Sequence, residues 1–507
     1  MNETADHIRY EPLAQVLREH PAVADVAITD GPDGRERHAR LVADPAVAPV
    51  LHRSAVLQAT GRLGRLGWHE PAGEIRVAGL NRGETDFLHR EIFTDDTYFR
   101  HGITLPAGAT VVDVGANIGM FTIRAALHSP GARILAVEPV AELADAVALN
   151  AELHGIDATV LRAALGRADG ETAFTFYPHN SVMSGRFADP SEDLGLLRDY
   201  LLTGERARRG EHLDRLVSDR MTAQSRRVPV TTLTAVAHEH GLTRIDLLKI
   251  DVEKAEAEVL DGIGDSVWPR IERIVMEVHD IDERLTAVLA QLRARGFDVT
   301  AEQDPRLVRT PCHNVYARRP GAGIAPAPSA AAVGGPTLSR LEEELRELIK
   351  RRLPSAVPPG RYSLAADLAS TGRPDPVATT GHRPAGRSRA PASPRVAVFA
   401  RIWTGLFGPD TARPDADFFD LGGDSLTAVR LMVALEGELG EDALTPDLIF
   451  TDSTFGALAA AVEASADEEA GGDCGHSCPH EPAHGLPGPP ADEIALRPAE
   501  RRRSDGS

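Results

Sequence analysis

Short apolar runs alternate with longer amphipathic stretches through the middle of the chain. "TVVDVG", "RILAVEP", "TVLRAAL", "IDLLKID" and "RIVMEVH" are rich in Val, Ile and Leu. Between them, "AELADAVALNAELHG" and "KAEAEVLDGIG" read as helices. Near-continuous apolar strands separated by helices predict a mostly parallel sheet covered on both faces, an α/β body over about residues 75–320. Ligands of such sheets bind at the carboxyl ends of the strands.

The pattern changes on both sides of this body. Pro/Ala/Gly-rich stretches at 318–336 and 380–394 cannot bury enough apolar surface to fold and read as linkers. They set off an N-terminal piece (1–60), a short helical piece (337–378) and a C-terminal piece (393–466), with a disordered tail at 467–507. In the C-terminal piece, "VAVFARIWTGLFG", "DFFDLGGDSLTAVRLMVALEGELG" and "TPDLIFTDSTFGALAAAVE" predict a four-helix bundle. Leu426, Val429, Leu431 and Val433 are available to its core. The segment 191–221 reads as a charged helical insertion, either a solvated helix pair or a lid over the mouth of the body.

Composition narrows the function classes. At 507 residues the chain exceeds a single core. A net charge of −20 argues against a nucleic-acid partner, which needs a basic face. Cys312, Cys474 and Cys478 are the only cysteines, which is no disulfide framework. No secretory signal and no run long enough for a membrane helix is evident, so a cytoplasmic protein is expected. The tail run "CGHSCPH" fits no common closed zinc site.

The chemistry gathers at strand ends. "TVVDVGANIGMF" is strand, glycine turn and helix, with Asp113 at the strand end and Gly115 and Gly119 allowing close backbone approach to a ligand. The next strand ends in Glu138, placed to bind two ribose hydroxyls. An acid there serves both NAD and S-adenosylmethionine (SAM) sites, but the run lacks the G-x-G-x-x-G of a dinucleotide site, which favours SAM. "LLKIDVE" offers Lys249, Asp251 and Glu253 to the same mouth, and "IVMEVH" offers Glu277 and His279. His279 is the first choice of general base, Asp251 a group to hold the sulfonium side or orient His279, and Glu277 the second acid–base group. A carboxylate pair with histidine can also hold a divalent metal, but the sequence shows no proximity in space, and no metal site is assigned.

"FLHREIFTDDTYFRHGI", "VVDVGANIGMFTI", "VEP", "LNAELHG", "AALG", "IDLLKIDVEKAEAEVLDG" and "MEVH" together resemble the FkbM family of SAM-dependent methyltransferases over about 78–318. The resemblance implies a class I, Rossmann-like methyltransferase and, most often, O-methylation. On the SAM side it adds Asn117, Asn150 and Ala163–Ala164; Asn180 and Ser181 lie in a polar loop where the family often has serines, either a wall of the acceptor pocket or an ordinary loop. The family usually has glycine where this chain has Lys254.

"FFDLGGDSL" resembles a peptidyl carrier domain, which implies a 4′-phosphopantetheine arm on Ser425, attached by a separate transferase. Gly422 and Gly423 are expected to leave the backbone open there. Residues 13–44 and 338–375 resemble the start and end of the small C-terminal subdomain of adenylation enzymes, as in interrupted domains of nonribosomal peptide synthetases. The large ATP-binding core has no counterpart, and Arg373 replaces the usual terminal lysine, so no adenylation activity is expected. The expected partners are a separate adenylating enzyme, other synthetase modules and a small-molecule acyl substrate, with no nucleic acid and no membrane. The expected reaction is O-methylation of an aminoacyl or peptidyl group on the carrier arm. N-methylation, a free small-molecule acceptor and an inactive carrier or docking protein remain open beside it.

Overall fold

The computed structural model describes residues 3–30, 37–178, 180–189, 223–304, 308, 310–323, 335–368 and 393–470, the last stretch without 409–410, 415, 419–420, 422, 424, 441–442, 445–447 and 450–452. The insertion expected at 191–221, Arg373, and the tail beyond 470 lie outside the described residues.

At the N-terminus, α1 (Glu3–Arg18) and α2 (Pro49–Ala59) accompany the antiparallel pair β1 (Val23–Asp30) and β2 (Arg37–Ala43). The late strand Arg361–Leu364 completes this sheet, parallel to β2, with Leu364 opposite Leu41. The helix Leu338–Arg352 carries Leu341, Leu345 and Ile349 at four-residue intervals. All three are fully buried in one cluster with Leu17 and Leu41. Each such side chain contributes about 1.5–3 kcal/mol at most. One core is thus built from two segments separated by the whole α/β body.

Between β3 (Gly67–His69) and β4 (Val77–Gly79), Glu70 ties the two parts together. Its carboxylate accepts the amides of Leu338 and Ser339 at 2.8 and 2.9 Å and pairs with buried Arg76 at 2.7 Å. Burial alone would raise its pKa, but Arg76 and the helix amides outweigh burial and hold the group below the ordinary carboxylate range.

The body holds one seven-stranded sheet. Its strands are β5 (Thr110–Val114), β6 (Arg133–Val137), β7 (Asp157–Leu161), β11 (Leu247–Ile250), β12 (Arg273–His279), β13 (Asp298–Glu302) and β14 (Cys312–Arg318). They lie in the order β13-β14-β12-β11-β5-β6-β7, and only β14 runs antiparallel to its neighbours. Counted along the chain this is 3-2-1-4-5-7-6, a class I methyltransferase fold. A smaller sheet, β8 (Ala164–Leu165), β9 (Gly170–Phe176) and β10 (Gln224–Thr231), adjoins it.

Alternate residues of the central strands enter different cores. Val112, Val114, Leu248 and Ile250 join one cluster, and Val111, Leu247 and Val275 join another with Phe121 and Leu143. Both faces are therefore covered, as the apolar runs predict. The second face is covered by α4 (Met120–His128) and α5 (Ala141–His154). Strand order reverses between β5 and β11, which places the ligand crevice at their carboxyl ends.

The C-terminal piece is helical. Helices Pro394–Phe407, Ser425–Leu439 and Phe455–Ala470 enclose Phe399, Trp403, Phe418, Leu431 and Leu435, and 448–449 is a further helical stretch. Of the expected core residues Leu431 is fully buried; the side chains of Leu426, Val429 and Val433 lie outside the described set. Among the described residues no helix is long and apolar enough to cross a membrane.

Candidate active site

The turn after β5 has left-handed backbone at Gly115, Asn117 and Gly119, with φ of 76°, 50° and 83°. A Cβ on Gly115 would stand 1.7 Å from the Asp251 carbonyl oxygen, so only glycine lets the two strand-end turns meet. Glu138 sits beneath this turn, 4% exposed, and accepts the amides of Asn117 and Val140, each at 2.9 Å. Burial pushes its pKa up to about 7, against the pull of those amides.

Asp113 does not face an incoming amine. It is fully buried, accepts the Thr122 hydroxyl at 2.7 Å and lies 3.4 Å from the Lys249 ammonium. Lys249 also donates to the Gly115 carbonyl at 2.6 Å and lies 3.3 Å from Asp251. Burial alone would lower the Lys249 pKa, but Asp251 and Asp113 outweigh it and hold the group above the ordinary lysine range. The cation that Asp113 serves is thus the protein's own, and the pair fixes the turn from behind.

Asn150 is likewise spent. Its amide donates to the carbonyls of Ala78 and Ile118 and accepts the Ala78 amide, which leaves it 1% exposed and locks α5 to the turn. Ala163 is buried and Ala164 half-buried just past β7, on the cofactor side.

The loop at 180–184 closes the other wall. Ser181 donates to Glu84, and Asn117 donates to Ser181 at 3.2 Å. Glu84 belongs to α3 (Arg82–His89), whose N-cap Asn81 accepts the Glu84 amide at 2.9 Å. Asn180 is buried beside them. Glu84 carries no motif signal and shows its place only in the fold.

At the ends of β11 and β12, Asp251, Glu253 and Glu277 bring carboxylate oxygens within 4.8 Å of one another. Asp251 is the most exposed at 28% and accepts the Tyr98 hydroxyl at 3.0 Å. It therefore pairs with Lys249 and Tyr98, and Glu256 is the residue that orients His279. The Glu256 carboxylate lies 2.8 Å from His279 Nδ1, and Arg284 lies 3.0 Å from Glu256. Nε2 of His279 lies 3.3 Å from Glu253. Burial would lower the His279 pKa, but Cys312, Glu253 and Glu256 outweigh it and raise it well above the ordinary histidine range. Both ring nitrogens of His279 face carboxylates, Nδ1 that of Glu256 and Nε2 that of Glu253, so neither is free to act as a base. Burial pushes the Glu277 carboxyl well above its usual range, and the charge of Asp251 adds to that.

Lys254 takes φ of 71°, the conformation that explains glycine at this place in the resembling family. Here lysine completes the turn, its amide donating to Glu256 at 2.9 Å.

A model of the methyltransferase FkbM domain matches residues 113–299. The 31-O-demethyl-FK506 methyltransferase FkbM of Streptomyces tacrolimicus is 44% identical over 244 residues, covering 48% of this chain and 93% of that protein. This chain belongs to the FkbM methyltransferase family. As an FkbM methyltransferase it uses SAM as methyl donor. A phosphopantetheine attachment site matches residues 397–462, so the helical C-terminal piece takes 4′-phosphopantetheine. The AMB antimetabolite synthetase AmbE of Pseudomonas aeruginosa is 36% identical over 452 residues, 83% of this chain. The chain spans about a fifth of that synthetase, 21% of its length. Methyltransferase FkbM from Methylobacillus flagellatus, a solved structure, shares 13% identity with a TM-score of 0.27, covering 62% of this chain and 60% of that one.

In this FkbM chain Ser425 is the first residue of the helix Ser425–Leu439. Gly423 before it is not there for openness: a Cβ would lie 2.3 Å from the Phe418 ring, so packing demands glycine.

Proposed function

We propose that this chain methylates a hydroxyl of an aminoacyl or peptidyl group carried on its own phosphopantetheine arm at Ser425, within a nonribosomal synthetase assembly. The observation that carries this reading is one chain holding both an FkbM methyltransferase and a carrier, aligned over 83% of its length with an antimetabolite synthetase. Residues 1–60 and 337–378, whose described parts share one core, stand as the remnant of an adenylation subdomain. The body at 75–320 is the methyltransferase and 393–466 the carrier. A separate adenylating enzyme loads the arm, and a phosphopantetheinyl transferase installs it.

The turn Gly115–Asn117–Gly119 would hold SAM, with Glu138 taking its ribose hydroxyls and Ala163–Ala164 flanking its adenine. Asp113 and Asn150 position the turn and do not touch the cofactor. The acceptor hydroxyl enters over Asp251, Glu253 and Glu277. Bound SAM would supply an electrophilic sulfonium methyl group, and Asp251, the most exposed carboxylate, would take the proton that the acceptor hydroxyl gives up. Lys249 and Tyr98 hold that carboxylate in place.

Tethering supplies an effective concentration of about a millimolar without a tight acceptor pocket. The test compares the arm-bound acceptor with the same acyl group on free pantetheine. Faster methylation of the tethered group at micromolar free acceptor supports the reading; equal rates contradict it.

A further inference from the structure

Glu277, His279 and Cys312 bring an oxygen, a nitrogen and a sulfur ligand atom within 4.8 Å of one another. Strand register assembles them. Glu277 pairs with Asn314 and His279 with Cys312 across β12 and β14, so all four side chains share one face. Glu277 is also a member of the carboxylate set with Asp251 and Glu253.

Three features go beyond an acidic patch. The first stands behind the histidine ring. Glu256, with 1% side-chain exposure, takes His279 Nδ1 at 2.8 Å and is itself held by Arg284 at 3.0 Å. That fixes the ring and turns Nε2 toward Glu253 and Glu277, at 3.3 and 3.8 Å. A buried carboxylate on the far nitrogen is the outer support that histidine metal ligands use. The second is the donor set. Thiolate, imidazole and carboxylate together suit a borderline ion such as zinc, whereas magnesium and calcium take oxygen ligands. The third is Asn314, 6% exposed, whose Oδ1 is buried with no hydrogen-bond partner among the described residues. It lies on the same face, directly beside Glu277.

We propose that Glu277, His279 and Cys312, with Glu253 closing the set, bind a transition-metal dication of the zinc class on the acceptor side of the mouth. The ion takes neutral imidazole and thiolate as ligands, so its binding competes with protons. Placed there, it acts as a Lewis acid on the acceptor oxygen and lowers its pKa. Asp251, engaged with Lys249 and Tyr98, stays outside the ligand set and receives the acceptor proton. That role in transfer rests on the methylation reading; metal binding itself does not.

The test uses the full chain with Cys474→Ser and Cys478→Ser, which removes the thiols of the tail. The protein is stripped with a chelator and titrated with Co²⁺ alone. About one equivalent binds, with a thiolate-to-cobalt charge-transfer band. Cys312→Ser abolishes the band while SAM binding, followed by calorimetry, is unchanged and reports a folded protein. Glu256→Gln weakens cobalt binding about 10–100-fold. No stoichiometric binding, or a band that survives Cys312→Ser, overturns the site. Binding without any band removes Cys312 as a ligand and overturns the zinc-class assignment. Because no methyl acceptor is present, failure here is separate from failure of the transfer reading, which product formation reports.

Discussion

The turns that leave β5 and β11 meet at the switch point, yet they are built from opposite residues. The β5 turn puts glycine at two of its three left-handed positions, with φ of 76° at Gly115 and 83° at Gly119. The β11 turn puts Glu253 and Lys254 at φ of 47° and 71°, with no glycine at all. Each non-glycine residue in that region costs about 1–2 kcal/mol. The network of Glu256, Arg284 and His279 holds the strained turn. The β5 turn thus depends on side chains that are absent, and the β11 turn on side chains that are kept at a cost in strain. Strain of this kind persists where function needs the group it positions.

Gly115→Ala breaks the contrast most severely. The new Cβ meets the Asp251 carbonyl, and the chain loses about 3 kcal/mol or more of stability together with SAM binding, read by thermal melting and calorimetry. An alanine variant that binds SAM normally would sink the account of this turn.

Asp251→Asn leaves SAM affinity within about threefold and lowers kcat/KM about 100- to 10,000-fold. A parallel loss of SAM affinity would move Asp251 to the cofactor side.

Glu138 sets a pH dependence. Its folded pKa of about 7 lies above the unfolded value, so its stabilisation is fully present below the unfolded pKa and is lost as pH rises through about 7. Ribose hydroxyls favour the ionised form. SAM affinity therefore rises with pH between about 6 and 8, by at most about tenfold per unit, and Glu138→Gln flattens the profile. A flat profile in the unaltered chain would contradict ribose binding by Glu138.

The smallest effect is expected at Lys254→Gly. Relief of the left-handed strain offsets the lost side-chain contacts, so stability changes by less than about 1 kcal/mol and SAM affinity does not move. A loss above about 2 kcal/mol would show that the lysine side chain, and not the backbone turn, holds this region.

The same contrast governs what the sequence reveals. The strands are legible because burial on both faces leaves uninterrupted apolar runs such as "TVVDVG". The cofactor turn is legible because close backbone approach demands glycine at fixed spacing. The acceptor side is not. Cys312 reaches His279 only because β14 inserts antiparallel beside β12, a pairing that no local pattern encodes. Asp113 and Lys249 look like ligand groups because they are polar residues at or near strand ends, and Asn150 because the family resemblance points to it. Burial turns the first two into an internal ion pair and the third into a brace between α5 and the turn. His279 is read from its ordinary pKa, and Cys312 with the surrounding carboxylates overrides that value. At Ser425 the attachment motif is legible, whereas the reason for Gly423 is a ring contact that appears only in the packed carrier.

The central claim is that the methyl group lands on the carrier arm. The full chain is converted to its holo form, loaded with candidate acyl groups, supplied with SAM and followed by intact mass spectrometry, with Ser425→Ala as control. The account predicts the gain of one CH₂ on the arm-bound species, absent in Ser425→Ala. No gain on any tethered candidate, alongside turnover of a free acceptor, would contradict it.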